Sequence, residues 1–174
     1  MPFFAGCGPF LHWIKLNHDG IPTESKKVIE DAMKDKERDI VGVIGFSQGG
    51  KLAAGLFIEQ QLREKLGKVD GVRKGFRFGV FLNATSPPML PSGMSKEEMK
   101  EIIIRIPSLH VVGKEDTFKK EGEMLFNDHF DHERSKLIEF EVGHRLPTEE
   151  ADTAKIAEEI LRLYRETGGK ILDA

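Results

Sequence analysis

The segment Gly45-Phe46-Ser47-Gln48-Gly49 stands between an apolar run and a long helical pattern. The run over residues 40–46 is rich in β-branched side chains and carries no charge, which predicts a buried strand. From Gln48 to about residue 66, apolar residues recur at helical intervals. A serine between glycines on a sharp strand-to-helix turn is typical of a nucleophile elbow. Backbone N–H groups at the start of the helix then face any oxyanion that forms beside Ser47.

Size and composition limit the classes of protein that fit this chain. Its 174 residues predict a single domain over residues 1–174 with a substantial core. The net charge of −3 and the lack of a basic stripe give no reason to expect nucleic-acid binding. Cys7 is the only cysteine, so no internal disulfide can form and a reducing, cytoplasmic location is expected. We see no secretory signal, and no apolar run reaches the ~20 residues of a membrane helix.

Strand patterns alternate with helix patterns along the chain. The predicted strands are short and rich in apolar residues: 40–46, 77–84, 109–113 and 137–142. The predicted helices are 24–37, 48–66, a short helix opened by a Ser95–Glu98 capping box, 119–130, and a last helix capped by Thr148. This alternation predicts the α/β class, with a mainly parallel sheet and helices on both faces.

Two of the predicted helices carry apolar residues along one face. In the helix over 24–37 the face is formed by Val28, Ile29 and Met33. In the last helix the stripe consists of Ile156, Ile160, Leu163 and Tyr164. Such spacing is typical of helices that bury one side.

Three polar residues with complementary chemistry each follow a predicted strand: Ser47, Asp116 and His144. Loops after parallel strands meet at the carboxyl edge of the sheet, where ligands bind. A serine hydroxyl needs a base within hydrogen-bond reach, and the base needs an acid to orient it. The order serine, acid, histidine fits this interpretation, with Glu115 the nearest rival to Asp116. As alternatives, Asp116 could cap the next helix and His144 could be a packed histidine beside Pro147.

The remaining histidines are weaker candidates for a site. His110 lies within a predicted strand and is expected in the core, whereas His12 and His18 could line a pocket or have no role. Residues 128–133 resemble a metal cluster, but such a run is more typical of a solvated helix end, so no metal site is predicted. Gly6-Cys7-Gly8 lacks a third glycine and a preceding strand, so it predicts no dinucleotide loop and no cofactor is expected.

Four stretches closely resemble the FSH family of serine hydrolases, an α/β-hydrolase family of fungi and other eukaryotes. They are residues 8–13, which look like its aromatic segment, 43–50, its elbow, 107–116, its acid-bearing strand and loop, and 143–147, its histidine loop. The elbow is also similar to that of the acyl-protein thioesterase and carboxylesterase family. The segments around the acid and the histidine fit that second family less well.

This resemblance implies hydrolysis of an ester or thioester through an acyl-serine intermediate. Ser47 would attack, His144 would move the proton, Asp116 would orient His144, and the Gln48 backbone N–H would supply one oxyanion donor. Family members beside fungal polyketide synthases release or trim the product, and others are general cytosolic esterases. The expected partner is therefore a small acyl ester or thioester, or an acyl chain on a carrier protein.

The loop after the second strand offers candidate substrate contacts. The segment from Pro87 to Met94 contains Pro88, Met89 and Leu90, which are expected to form a wall for an acyl chain. A plain surface loop is the alternative.

The family pattern normally begins earlier than this chain does. It includes the first strands and a His-Gly-rich loop that gives a second oxyanion N–H. We therefore expect either an N-terminally shortened hydrolase with an exposed sheet edge, or an N-terminal segment that covers this edge in an unusual way. The missing oxyanion loop keeps one alternative to a serine hydrolase open, a weakly active or non-catalytic binding protein on the same scaffold. The cluster over residues 128–133 keeps a second alternative open, a metal-dependent enzyme.

Overall fold

The computed structural model describes residues 19–34, 40–67 and 75–169. Several features of the sequence lie outside these ranges, so their predictions have no structural counterpart here. They are the aromatic segment 8–13, Cys7 with its neighbouring glycines, His12, His18 and the end of the helix predicted over 24–37.

Five helices and four strands form the described part of the chain. The helices are α1 (Thr23–Ala32), α2 (Gln48–Lys65), α3 (Lys96–Lys100), α4 (Lys119–His129) and α5 (Glu150–Glu166). The strands are β1 (Gly42–Phe46), β2 (Phe78–Leu82), β3 (Ser108–Gly113) and β4 (Ser135–Phe140). None of these helices is long and apolar enough to cross a lipid bilayer.

The four strands form one parallel sheet in the order β1-β2-β3-β4, so each strand pairs with the next one in the chain. At the carboxyl edge, Phe46 of β1 is in register with Leu82 of β2, and Leu82 is in register with Val111 of β3. The loops that follow the strands therefore emerge side by side. This edge carries the candidate site.

Two apolar layers cover the two faces of the sheet. On one face, α2 and α4 pack over strand residues such as Phe81, with Phe57 at the centre of the layer. On the other face, Leu163 of α5 packs against strand residues such as Val80. Since Val80 and Phe81 are adjacent in β2, their side chains point to opposite faces. The predicted α/β class, with helices on both faces of a parallel sheet, is confirmed.

Most predicted elements are present, with boundaries shifted by a few residues at strand ends. The capping box is confirmed, because Ser95 Oγ accepts the Glu98 N–H at 3.1 Å and Glu98 Oε2 accepts the Ser95 N–H at 2.8 Å. The prediction that Thr148 caps the last helix was wrong. Glu149 is the N-cap of α5, and its side chain makes no capping hydrogen bond.

The apolar faces predicted for α1 and α5 differ in outcome. All four residues of the α5 stripe pack in the layer on that side of the sheet, as predicted. In α1, Ile29 and Met33 pack against the other layer, but Val28 is exposed. Adjacent residues in a helix point about 100° apart, so one of the pair Val28 and Ile29 turns outward.

Candidate active site

Ser47 occupies the turn between β1 and α2 in a backbone conformation that residues other than glycine rarely adopt. Its φ is 51° and its ψ is −117°. Such a conformation costs about 1–3 kcal/mol and persists only where the surroundings fix it. Here the Ser47 N–H donates to the Leu82 carbonyl at 2.9 Å, which extends the pairing of β1 with β2 into the turn. The hydroxyl is thereby held at the carboxyl edge of the sheet.

Two glycines make this turn sterically feasible. A Cβ on Gly45 would lie 2.6 Å from the Gly49 backbone and from the Gly50 Cα. A Cβ on Gly50 would lie 2.3 Å from the Ala84 Cβ. Both distances are far below a normal carbon contact, so the turn needs hydrogen at both positions.

The first turn of α2 begins directly after Ser47. The Ser47 carbonyl accepts the N–H groups of Gly50 and Lys51 at 3.1 and 3.4 Å. Gln48 is the first helical residue, and the first N–H groups of a helix have no intrahelical acceptor. A donor at this position is suited to a developing oxyanion, although the role of the Gln48 N–H stays a prediction.

His144 connects Ser47 with Asp116. Its Nε2 lies 2.9 Å from Ser47 Oγ, and its Nδ1 lies 2.8 Å from Asp116 Oδ2. A carboxylate only accepts hydrogen bonds, so Nδ1–H donates to Asp116 and Nε2 is left to accept the serine hydroxyl. The structure thus brings together the three side chains singled out in the sequence. Their arrangement is the one that activates a serine for attack on a carbonyl.

Asp116 serves two partners with its two oxygens. While Oδ2 accepts from His144, Oδ1 accepts the Phe118 N–H at 2.8 Å, at the start of α4. The carboxylate is almost fully buried, with 1% of its side chain exposed. Asp116 therefore contacts the start of α4 and His144 at the same time. The rival Glu115 is exposed on the surface.

Two aromatic rings flank His144, and the sequence pattern assigned neither to the site. The Phe46 ring centroid lies 5.0 Å from that of His144, and the Phe118 centroid lies 5.1 Å from it. Both phenylalanines are nonetheless more than 40% exposed. They form apolar surface beside the His144 ring. Nothing in the sequence around Phe118 distinguishes it from an ordinary residue near a helix start.

Asn83 is a second residue that the sequence pattern did not single out. It directly follows β2, is 2% exposed and has a positive φ of 44°. Its side chain contacts the loop that carries His144 and the end of β3. The signal that could have found it is its position, because Ser47, Asp116 and His144 also follow strands.

The predicted acyl-chain wall is mostly buried. Met89 is fully buried in the layer on the α2 face, and its N–H donates to the Lys51 carbonyl at 3.1 Å. Pro88 is also buried, and Leu90 is partly exposed. Contact between these residues and a substrate stays a prediction.

His110 is a core residue, as expected. Its ring stacks on Phe81 at a centroid distance of 4.7 Å, and its Nε2 lies 3.1 Å from Ser108 Oγ. Burial, with a smaller effect from His132, lowers the pKa of His110 to about 3. The imidazole is therefore neutral at pH 7.

The two histidines of residues 128–133 do not share a helix face, because His129 ends α4 and His132 lies in the following turn. His129 is buried, and this burial lowers its pKa. His132 is exposed and stacks on Phe126 at 4.6 Å. Within the described ranges, no group of three or more His, Cys, Asp or Glu side chains could hold a metal ion.

Comparison with known proteins gives a consistent set of relatives. The family model described as serine hydrolase (FSH1) matches residues 9–156. Esterase citA of Monascus ruber is 29% identical over 97% of this chain and 75% of its own length. Esterase FUS5 of Gibberella fujikuroi is 29% identical over 95% and 67%. Esterase claE of Penicillium crustosum is 28% identical over 95% and 75%.

A solved structure shares the fold. It is a crystal structure of a candidate hydrolase from Agrobacterium vitis S4, with a TM-score of 0.51 and 15% sequence identity. The match covers 80% of this chain and 66% of that one. At this identity the likeness shows the fold alone.

Proposed function

This chain belongs to the serine hydrolase (FSH1) family, and we propose that it cleaves a carboxylic ester or thioester through an acyl-serine intermediate on Ser47. Hydrolysis of esters is the activity that the names of its fungal relatives share. The observation that supports the mechanism is the chain of two hydrogen bonds from Ser47 through His144 to Asp116.

In the first half-reaction, Ser47 Oγ attacks the substrate carbonyl carbon while His144 Nε2 takes the hydroxyl proton. Asp116 accepts from Nδ1–H throughout, so it holds the ring in the correct tautomer and stabilises the imidazolium. The tetrahedral intermediate then collapses. The bond to the alcohol or thiol breaks, the leaving group takes the proton from Nε2, and an acyl ester on Ser47 remains.

In the second half-reaction, water replaces the leaving group. His144 Nε2 removes a proton from the water as its oxygen attacks the acyl carbon. The second tetrahedral intermediate releases the carboxylic acid, and Ser47 Oγ recovers its proton from His144. The Gln48 N–H stabilises the oxyanion in both halves, as the first donor of α2. This cycle uses only acid–base and nucleophilic chemistry and assigns no cofactor a role.

Thioesters are included because the same intermediate forms whether oxygen or sulfur leaves. An acyl chain on a carrier protein is the finer version of this proposal, supported by the resemblance to family members that act beside fungal polyketide synthases. That resemblance also supports a role in secondary metabolism. A cytoplasmic location is proposed on the basis of the single cysteine, Cys7.

Turnover of a short-chain p-nitrophenyl ester tests the proposal. We expect hydrolysis by the wild-type protein and a loss of at least about 10³-fold in kcat for Ser47→Ala. Ser92→Ala is the matched control, because Ser92 is an exposed loop serine, and it should retain full activity. Equal turnover by wild type and Ser47→Ala would overturn the proposal. The finer version is tested by comparing kcat/KM for the same acyl group in two forms. One form is the free N-acetylcysteamine thioester, and the other is the thioester on a carrier protein.

A further inference from the structure

Asn83 joins the two loops that bear the acid and the base. Its Oδ1 accepts the Gly113 N–H at 2.8 Å, and its Nδ2 donates to the Arg145 carbonyl at 2.9 Å. The two partners fix the orientation of the amide, since one is a donor and the other an acceptor. At this side-chain length, an ionised aspartate offers only acceptors, so the amide of asparagine suits this pair of partners.

Each of these contacts lies at the base of a turn. The Gly113 carbonyl accepts the Asp116 N–H at 3.1 Å, so Gly113 begins the turn that presents the acid. The Arg145 N–H donates to the Gly143 carbonyl at 2.7 Å, which closes a three-residue turn with His144 at its apex. Asn83 therefore holds the first residue of one turn and the last residue of the other.

The backbone of Asn83 suits this position. Its φ of 44° lies in the left-handed region, which asparagine adopts more readily than most residues. Its own N–H donates to the Val111 carbonyl at 2.8 Å, which fixes the residue to β3. Near-complete burial protects both side-chain hydrogen bonds from exchange with water.

The two loops also meet directly. The Glu115 N–H donates to the Val142 carbonyl at 3.1 Å, and a Cβ on Gly113 would lie 2.3 Å from that carbonyl oxygen. These contacts lie before His144 in the chain. Asn83 supplies the contact after it, so the histidine turn is held from both sides.

We propose that Asn83 is a positioning residue, which keeps His144 within hydrogen-bond reach of Ser47 and Asp116 by anchoring the Arg145 carbonyl. The inference rests on the proposed function, because it assigns Asn83 a part in that reaction. It acts through His144 and does not touch the reacting atoms. A displacement of about 1 Å in a catalytic group can cost up to about 10²-fold in rate.

Two variants separate the contacts of Asn83. Asn83→Gly keeps the positive φ and removes both hydrogen bonds. Asn83→Asp keeps an acceptor for the Gly113 N–H, but as a carboxylate it loses the donor and places an oxygen against the Arg145 carbonyl. The matched control is Gln60→Glu, because the Gln60 amide likewise accepts the Phe76 N–H at 2.8 Å and donates to the Phe76 carbonyl at 3.0 Å. Those contacts lie before β2, at the opposite edge of the sheet from Ser47.

The measurements are kcat and KM for a p-nitrophenyl ester, with kcat normalised to the active sites titrated by a fluorophosphonate. For both Asn83 variants we expect kcat to fall by about 10- to 100-fold with KM within about twofold of wild type. Gln60→Glu should lose thermal stability and keep its kcat. Values of kcat within about threefold of wild type in both Asn83 variants would overturn the proposal, as would an equal loss in Gln60→Glu.

A second measurement does not depend on turnover. The downfield NMR signal of the His144 Nδ1 proton reports its hydrogen bond to Asp116. We expect the signal in wild type and in Gln60→Glu, and its loss in Asn83→Gly. Persistence of the signal in folded Asn83→Gly would contradict the positioning role. If wild type shows the signal without ester turnover, the proposed function fails, and the NMR comparison alone decides whether Asn83 positions His144.

Discussion

His144 Nε2 lies 2.9 Å from Ser47 Oγ, although the two residues are 97 positions apart in the chain. β1 and β4 are the first and last strands of the sheet in the described ranges, and because all four strands are parallel both end at the same edge. The histidine loop reaches back across the ends of β3 and β2, with Asn83 beneath it.

At position 47, glycine should give a more stable protein than alanine, which is the reverse of the usual order. Both Ser47→Ala and Ser47→Gly lack the hydroxyl, so the difference in their stability reports the backbone strain at a φ of 51°. We expect the glycine variant to have the higher free energy of unfolding, by about 1–2 kcal/mol. At most positions glycine is the less stable of the two, by about 0.5–1 kcal/mol. Urea unfolding of the two variants measures the difference, and a more stable alanine variant would argue against strain in the turn.

Asp116→Asn should reduce kcat strongly. The amide can still accept the Phe118 N–H, but it carries no charge to stabilise the imidazolium and can reverse the tautomer of His144. The same change in serine proteases costs about 10⁴ in kcat, and we expect a loss of similar order. Glu115→Gln makes the same chemical change on the exposed neighbour and should retain activity. A larger loss in Glu115→Gln than in Asp116→Asn would show that Glu115, and not Asp116, is the acid.

Gly50→Ala should damage both stability and turnover. The new Cβ would lie 2.3 Å from the Ala84 Cβ, so the start of α2 must shift, at a cost of about 1–3 kcal/mol. Since that helix start carries Gln48, kcat per folded molecule should fall as well.

Gly93→Ala is the control for that steric effect. Its φ of 81° makes alanine strained, yet nothing lies within 4 Å of the added Cβ. Gly93 lines a small surface cavity together with Leu62. Leu62 lies about 20 Å along α2 from Ser47. Gly93→Ala should lose about 1 kcal/mol of stability without a change in kcat. Stability is read from thermal unfolding, and equal kcat losses in the two variants would contradict the prediction.

His110 should make folding stability depend on pH. Its pKa is about 3 in the folded chain and about 6.5 in the unfolded chain, so between these values the unfolded chain binds the extra proton. Stability is therefore fully present above about pH 6.5 and falls as the pH is lowered toward 3. Between pH 7 and pH 5 the loss attributable to His110 is about 2 kcal/mol.

Comparison with His110→Gln isolates that contribution. Glutamine does not titrate and can still hydrogen bond to Ser108. The free energy of unfolding from urea titrations at pH 7 and pH 5 should fall less in the variant than in wild type. His129, whose pKa is also lowered by burial, contributes equally to both proteins. The same pH dependence in both would show that His110 is not buried as described.

The local part of this architecture could be predicted from sequence. The sequence pattern of the elbow lies within the segment 45–50, where an apolar strand leads into a helix. The prediction that this strand is buried was wrong, because Ile44 of β1 is 58% exposed. The positions of Asp116 and His144 followed from their places after strands. Strand ends were less certain, since the pattern placed the last strand at 137–142 and the structure has Ser135–Phe140.

The remainder depends on long-range contacts that leave no local pattern. Asn83 looks like an ordinary turn residue until the loops bearing Asp116 and His144 are placed around it. Met89 belongs to the loop that is expected from sequence to form a wall for an acyl chain, yet it fills space against α2. Gly55 allows this close approach, because a Cβ at that position would lie 2.3 Å from the Met89 carbonyl oxygen. Thr148 has the chemistry of a helix cap, but the helix begins one residue later than that chemistry requires.

Covalent labelling tests the central claim most directly. The folded protein is treated with a fluorophosphonate probe, digested, and the adduct is located by mass spectrometry. We predict a single adduct on Ser47, absent in Ser47→Ala and formed far more slowly in His144→Ala. An adduct on a different residue, or none on a folded protein that turns over ester, would contradict the assignment of Ser47 as the nucleophile.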